Sequence, residues 1–464
     1  MSTPENVVSL EEQIDRWRSY LRRRQAIHSV DVAELEDHLR EQVAGLEAAG
    51  LATDEAFLVA VKRMGDLDAV SREFAREHSD RLWKQLVVGQ ADVAQPRAWG
   101  RTEGIMAFAL AVAAGMLVKL PELFGLQLDE DALFYVRNVS FFVLPLLVGY
   151  FAWKRRLAPG LLRWLAVVFA AGAVFINAYP FATSVSAGGD VEPGYTLLLA
   201  ALHLPIVLWL TVGVAYAASR WKQVEGRMDF IRFTGELFIY YVLIALGGGV
   251  LTAFVFMIFQ AIGMDAEPFV QSWLLPCGAA GAVLVASWLV EAKQSVIENM
   301  APVLTRLFTP LFAAVLITFL VTLVVTGRGI TDRDILIAFD LLLVVILGLL
   351  LYSVSARDPR APAGAFDVLQ VVLVVSALLV DAVALWAIAG RITEYGFTPN
   401  RMAALGLNVI LLVNLAWSAV LYIRFLRGGG TFSDLERWQT RYLPVYAVWA
   451  AIVVIAFPPL FRFI

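Results

Sequence analysis

Five ionisable side chains sit within otherwise apolar stretches of this 464-residue sequence: Lys119, Glu122, Glu236, Asp340 and Asp381. A charge in hydrocarbon is costly, so a carboxylate or amine kept there is a candidate for function by default. Counted along their stretches, Lys119, Glu122, Asp340 and Asp381 fall at a similar depth, toward the outer side; Glu236 lies near an inner end. Polar groups at one depth predict a cavity open to that side, in which Lys119, Glu122, Asp340 and Asp381 meet a small solute. Two carboxyls such as Asp340 and Asp381 can also do acid/base work. A structural alternative is equally concrete: the same residues form salt bridges between helices, with Lys119 reaching for the interface.

A second constellation lies in the stretch 391–401, between two apolar runs. Arg391, Glu394, Tyr395 and Arg401 lie there around a turn signalled by Gly396, with Thr398 and Pro399 as N-cap and first-turn residues of the next helix. It reads either as an ion-paired, capped hairpin or as an outer loop that recognises an anion or gates a passage. Ser433 and Glu436 have capping-box spacing and predict a short interfacial helix after Gly428–Gly430. His203, Asn177, Asn408 and Asn414 are weaker signals, since such residues commonly bridge helices by hydrogen bonding.

Several chemistries are excluded by what the sequence lacks. It has no GxxxxGK[ST] phosphate loop, no HExxH and only one cysteine, Cys277. Glu34 and His38 are one helical turn apart, but no second histidine or cysteine completes a metal set. No metal and no cofactor is expected. The net charge of −4 argues against nucleic acid as a partner.

Composition then sets the scaffold. Hydrophobic residues make up 59% of the chain and charged ones 17%, well below the charge of a typical soluble domain. Residues 1–101 nevertheless hold 32 of the 78 charges, so a charged N-terminal module precedes a region of membrane composition. The first residues lack the apolar core of a signal peptide, which keeps the module in the cytoplasm. Its stripes, Ile14, Trp17, Leu21 and then Leu35, Leu39, Val43, Leu46, have helical spacing. Arg16, Arg18 and Arg22–Arg24 read as a solvated face among acidic neighbours, or as a lipid contact.

The expected organisation is a cytoplasmic helical domain over 1–84, a linker over 85–103 and a multispanning region over 104–464. A span needs about 20 apolar residues. Eleven stretches qualify: 104–124, 135–153, 161–182, 195–218, 232–262, 269–290, 303–326, 335–354, 366–390, 402–423 and 442–461. The fifth carries Gly247–Gly249 and is a place for a bend. With the N-terminus inside, sixteen Lys and Arg flank the cytoplasmic ends and seven the outer ends. That bias obeys the positive-inside rule and puts the C-terminus outside. The fold class is all-α: a polytopic helical membrane protein of about 11 spans with a small N-terminal cytoplasmic helical domain.

Two stretches resemble known families. The segments Glu34–Glu41 (ELEDHLRE), Asp54–Gly65 (DEAFLVAVKRMG) and Asp66–Phe74 (DLDAVSREF) are similar to the bacterial permease prefix domain. The stretch Arg391–Arg401 (RITEYGFTPNR) resembles the multispanning domain-of-unknown-function family 4153. The resemblance implies a bacterial plasma (inner) membrane protein whose chemistry the families leave open. Three functions stay in play. One is transport, a permease-like passage of a small solute. Another is a membrane sensor or scaffold, signalling to a cytoplasmic protein partner through residues 1–84. The third is an intramembrane enzyme acting on lipid or envelope precursors. The lipid bilayer is the expected partner in all three.

Overall fold

A computed structural model describes residues 29–63, 98–185, 191–292, 300–326 and 333–464, together with residues 11 and 14. Trp17, Leu21, Arg16, Arg18, Arg22–Arg24, residues 64–97 and the side chains of Glu34 and His38 lie outside the described residues. The chain divides into two compact units, Met1–Pro96 and Arg97–Ile464.

In the first unit, α1 (Ser29–Ala48) packs on α2 (Thr53–Arg63). Leu39, Val43 and Leu46 are the buried stripe of α1, closed by Ile14, Ala56 and Ala60. Arg40 bridges Glu11 at 2.6 Å and Glu36 at 3.0 Å on its rim.

The second unit is helical apart from one two-stranded ribbon. Its helices are α3 (Ala98–Lys119, with a tight turn Leu120–Phe124), α4 (Ala132–Arg155), α5 (Pro159–Ala178), α6 (Tyr195–Ala217), α7 (Val224–Ala261), α8 (Leu275–Ala292), α9 (Met300–Thr326), α10 (Arg333–Ala356), α11 (Ala365–Tyr395), α12 (Pro399–Leu426), α13 (Phe432–Ile455) and α14 (Phe457–Leu460). Strands β1 (Thr183–Val185) and β2 (Val191–Pro193) pair antiparallel between α5 and α6. Ten of the helical stretches are long and apolar enough to cross a membrane. Continuous helices are what hydrocarbon demands, because each satisfies its own backbone N–H and C=O groups.

Two apolar cores organise these helices. One, around Leu147, Phe151, Leu204 and Phe233, joins α3 to α8. The other, around Leu343, Leu350, Val374, Leu411 and Leu415, joins α9 to α13. Helix α6 packs on α4 and α5 on one side and on α12 and α13 on the other. Large apolar side chains such as Phe108, Phe238 and Trp386 point outward at 67–84% exposure, the inverse of a water-soluble surface.

Charged and polar helix ends meet in sets. Lys154 bonds Glu103 (3.0 Å) and Glu291 (3.1 Å), and Arg155 also reaches Glu291 (3.1 Å), tying together α3, α4 and α8. Arg232 of α7 donates to the carbonyl of Ser355 on α10. Arg357 pairs with Asp367 at 2.8 Å and lies over the rings of Phe425 and Phe432. At the opposite helix ends, Asn138 and Asn177 exchange amide hydrogen bonds of 3.0 and 2.9 Å. The last residues close on the ribbon there: the Ala182 and Thr196 N–H groups donate to the carbonyls of Phe463 (2.8 Å) and Ile464 (2.7 Å).

Three local expectations change. Helix α7 runs unbroken through Gly247–Gly249, where added Cβ atoms would meet nothing within 4 Å. No interfacial turn interrupts the chain there, since helix hydrogen bonds carry the backbone through. The cap before α13 is Thr431 with Asp434, not Ser433 with Glu436; Asp434 accepts from the Thr431 N–H at 3.1 Å. The same three-residue spacing is met two positions earlier. The expected short interfacial helix is therefore the first turns of α13 itself, continuous to Ile455. The first apolar helix begins at Ala98, inside the stretch expected as linker.

Close packing makes a specific demand at Gly235. A Cβ there would collide with the Tyr352 ring of α10, whereas Gly248 faces open space. Gly235→Val should cost about 1–3 kcal/mol by overpacking and visibly lower the melting temperature of the detergent-solubilised chain. Gly248→Ala should leave it within about 0.5 kcal/mol.

Candidate functional site

Helix α11 buries one face along Gln370, Leu373, Val374, Ala377, Val380, Asp381, Ala384 and Ile388, a spacing of three and four residues. The apolar members pack against α9, α10 and α12, and Asp381 is carried into the same contact. Asp381 is 0% exposed, and neither carboxylate oxygen has a hydrogen-bond partner among the described residues. The charged neighbour that acts on it is another acid, Asp340 of α10. Asp340 accepts a 2.7 Å hydrogen bond from the Asn408 amide of α12, which also donates to the Ala404 carbonyl at 2.9 Å. Asn408 is fully buried, and its Oδ1 has no partner among the described residues.

Further polar groups lie buried in the same helix group. Gln370 is eleven residues before Asp381, three turns and about 16 Å down the same face of α11. Its amide donates to Ser353 (2.8 Å) and Thr309 (3.1 Å). Between α12 and α13, Asn414 donates to Gln439 (3.0 Å), and Gln439 donates to Ser418 (2.7 Å). Polar groups thus recur from the Asp381 level toward the Arg357–Asp367 end.

Lys119 and Glu122 lie elsewhere. They pair with each other, and the Lys119 ammonium sits 4.6 Å from the Trp273 ring centroid. Helix α3 packs on α4 and α8, while α11 packs on α9, α10 and α12. Among the described residues no hydrogen bond or ion pair joins the Lys119–Glu122 pair to Asp340 or Asp381. Depth along a span can be counted from sequence, but the direction in which a side chain leaves the helix depends on packing. The four residues expected around one cavity therefore divide into a local ion pair and a separate carboxyl group pair.

The 391–401 stretch is more helical than expected. Arg391, Glu394 and Tyr395 belong to the C-terminal end of α11, and residues 396–398 connect it to α12. Gly396 takes φ +77°, the left-handed region that suits glycine. Thr398 caps α12 and Arg401 donates to the carbonyls of Tyr395 (3.0 Å) and Gly396 (2.8 Å). Glu236 is buried on α7, one turn from Arg232. His203 donates from Nδ1 to the Leu199 carbonyl at 2.8 Å, an ordinary helix-satisfied histidine.

The Asp340–Asp381–Asn408 group offers carboxyl and amide oxygens in an apolar enclosure. It can exchange a proton or accept hydrogen bonds from a donor-bearing solute. Among the described residues no three His, Cys, Asp or Glu side chains converge as a metal set. Gln370 and Gln439 were missed in the sequence reading, although each interrupts or borders an apolar run. Asn408→Ala removes the donor that holds the half-buried Asp340 and should cost about 1–3 kcal/mol. Thermal unfolding in detergent checks this.

No known protein family, curated protein or solved structure matches the chain.

Proposed function

We propose that this chain is a multi-pass membrane protein that passes a small, hydrogen-bonding solute through the α9–α13 helix group, with Asp340, Asp381 and Asn408 as its polar site. One observation carries the reading: Asp381 is fully buried without a protein partner for either oxygen among the described residues. A structural carboxylate at that depth requires a cation or several donors. Its charged neighbour is instead a second acid, an arrangement that costs stability and is accounted for by a role. The Asn414–Gln439–Ser418 and Gln370–Thr309–Ser353 groups support a polar course beyond it.

An eleven-crossing topology is part of this proposal. Helix α13 opens with Arg437, Gln439 and Arg441, which lowers its apolar character relative to the other ten. The contact of residues 463–464 with Ala182 and Thr196 supports its crossing. Eight helices, α6 to α13, separate these partners, and an even number of crossings returns the chain to the same end. The distribution of Lys and Arg favours the N-terminus inside and the C-terminus outside. The resemblance of residues 34–74 to the permease prefix domain favours a bacterial plasma membrane.

Solute passage is measurable without knowing the solute. The full chain, reconstituted in liposomes, is challenged with isosmotic polyols, amides, amines and short carboxylic acids, and swelling is followed by light scattering. The wild type should admit at least one class, and Asp381→Asn should slow that class about tenfold or more, equivalent to about 1.4 kcal/mol of lost interaction. Lys119→Gln should leave the rate within about twofold. Equal rates for wild type and Asp381→Asn, or no admitted class, would contradict the proposal.

A further inference from the structure

A second built site lies at the other end of α12, away from the carboxyl pair. The faces Trp417–Arg424 of α12 and Asp434–Arg437–Trp438–Arg441 of α13 border one groove of about 280 Å³. Positions 434, 437, 438 and 441 follow helical spacing of three and four, so one face of α13 supplies all four. Arg424, Arg437 and Arg441 are exposed and converge on this groove. The one acid, Asp434, is engaged: it accepts from the N–H and hydroxyl of Thr431 at 3.1 and 3.0 Å and meets Arg437 at 3.4 Å. Arg424 and Arg441 have no ion pair among the described residues. Three guanidiniums against one acid leave a positive groove, and guanidinium is the group best matched to phosphate oxygens.

The groove's other wall is aromatic. Trp417 and Trp438 stand 6.0 Å apart by ring centroid, and the Trp438 indole N–H donates to the Asn414 carbonyl at 3.3 Å. Tryptophan beside arginine at the end of apolar helices is the composition of the headgroup level of a bilayer. Basic pockets between such helices suit anionic lipid headgroups.

We propose that this groove binds the phosphate of an anionic phospholipid, with Arg424, Arg437 and Arg441 on the headgroup and Trp417 against the upper acyl chain. The site is independent of the solute path and of Asp381.

The test is native mass spectrometry of the full chain released from mixed micelles containing phosphatidylglycerol and phosphatidylcholine. The wild type should retain phosphatidylglycerol in preference to phosphatidylcholine. Arg424→Gln/Arg441→Gln should reduce that retention about tenfold, because two of the three guanidiniums that meet the phosphate are lost. Arg427→Gln, just outside the groove, should retain it as the wild type does and controls for general surface charge. Melting temperatures confirm that the variants are folded. Equal retention of the two lipids, or undiminished phosphatidylglycerol binding in the folded double variant, would overturn the proposal. Complete displacement by equimolar inorganic phosphate would also overturn it, by making free phosphate the ligand.

Discussion

An apolar enclosure offers no partner to a bare polar group, and many features of the second unit answer to that constraint. Continuous helices carry most backbone groups, running through Gly247–Gly249 and through Pro145, Pro205 and Pro310, each of which removes one N–H donor. Side chains answer locally: Asn138 with Asn177, His203 with the Leu199 carbonyl, Gln439 between Asn414 and Ser418. Full charges are held at helix ends, where Glu291 draws Lys154 and Arg155 together and Asp367 draws Arg357. Removing Glu291 would leave Arg155 without its acid and Lys154 with Glu103 alone, a larger penalty than the net worth of the cluster itself.

Against this background Asp381 is the departure. The apolar face of α11 carries it into the α9–α12 contact, and packing of Leu373, Val374 and Ala377 holds it there. Asn408 serves Asp340 and leaves its own carbonyl oxygen unpaired. The same helix group holds Gln370 and Gln439 in its core through their amide donors, while the Gln370 carbonyl oxygen, like both oxygens of Asp381, has no partner among the described residues. That the charged neighbour of Asp381 is a second acid is the observation on which the proposed solute path rests.

Much of the architecture was legible because long apolar runs and long helices coincide. The eleven apolar stretches fall on α3 to α13, with ends displaced by a few residues where charged turns such as Val224–Arg232 or Phe432–Arg441 continue the helix beyond the apolar run. Thr398 and Pro399 marked the start of α12 because capping is a local interaction. Partnership was not legible. Lys119 and Asp381 share a depth but leave their helices toward different neighbours, which only the packing of α3 on α8 and α11 on α12 decides. The groove of Arg424 and Arg441 escaped notice for a related reason. Its residues come from two helices, and the spacing within either one reads as an ordinary interfacial face.

The depth and side assigned to Asp381 depend on α13 crossing the bilayer, so that residues 463–464 share a side with the β1–β2 ribbon. Single cysteines at Glu192, Phe463 and Asp358, in a Cys277→Ala background, can be probed in intact cells with a membrane-impermeant maleimide. Glu192→Cys and Phe463→Cys should label together while Asp358→Cys labels only after permeabilisation. Labelling of Phe463→Cys in step with Asp358→Cys, and not with Glu192→Cys, would contradict the eleven-crossing arrangement.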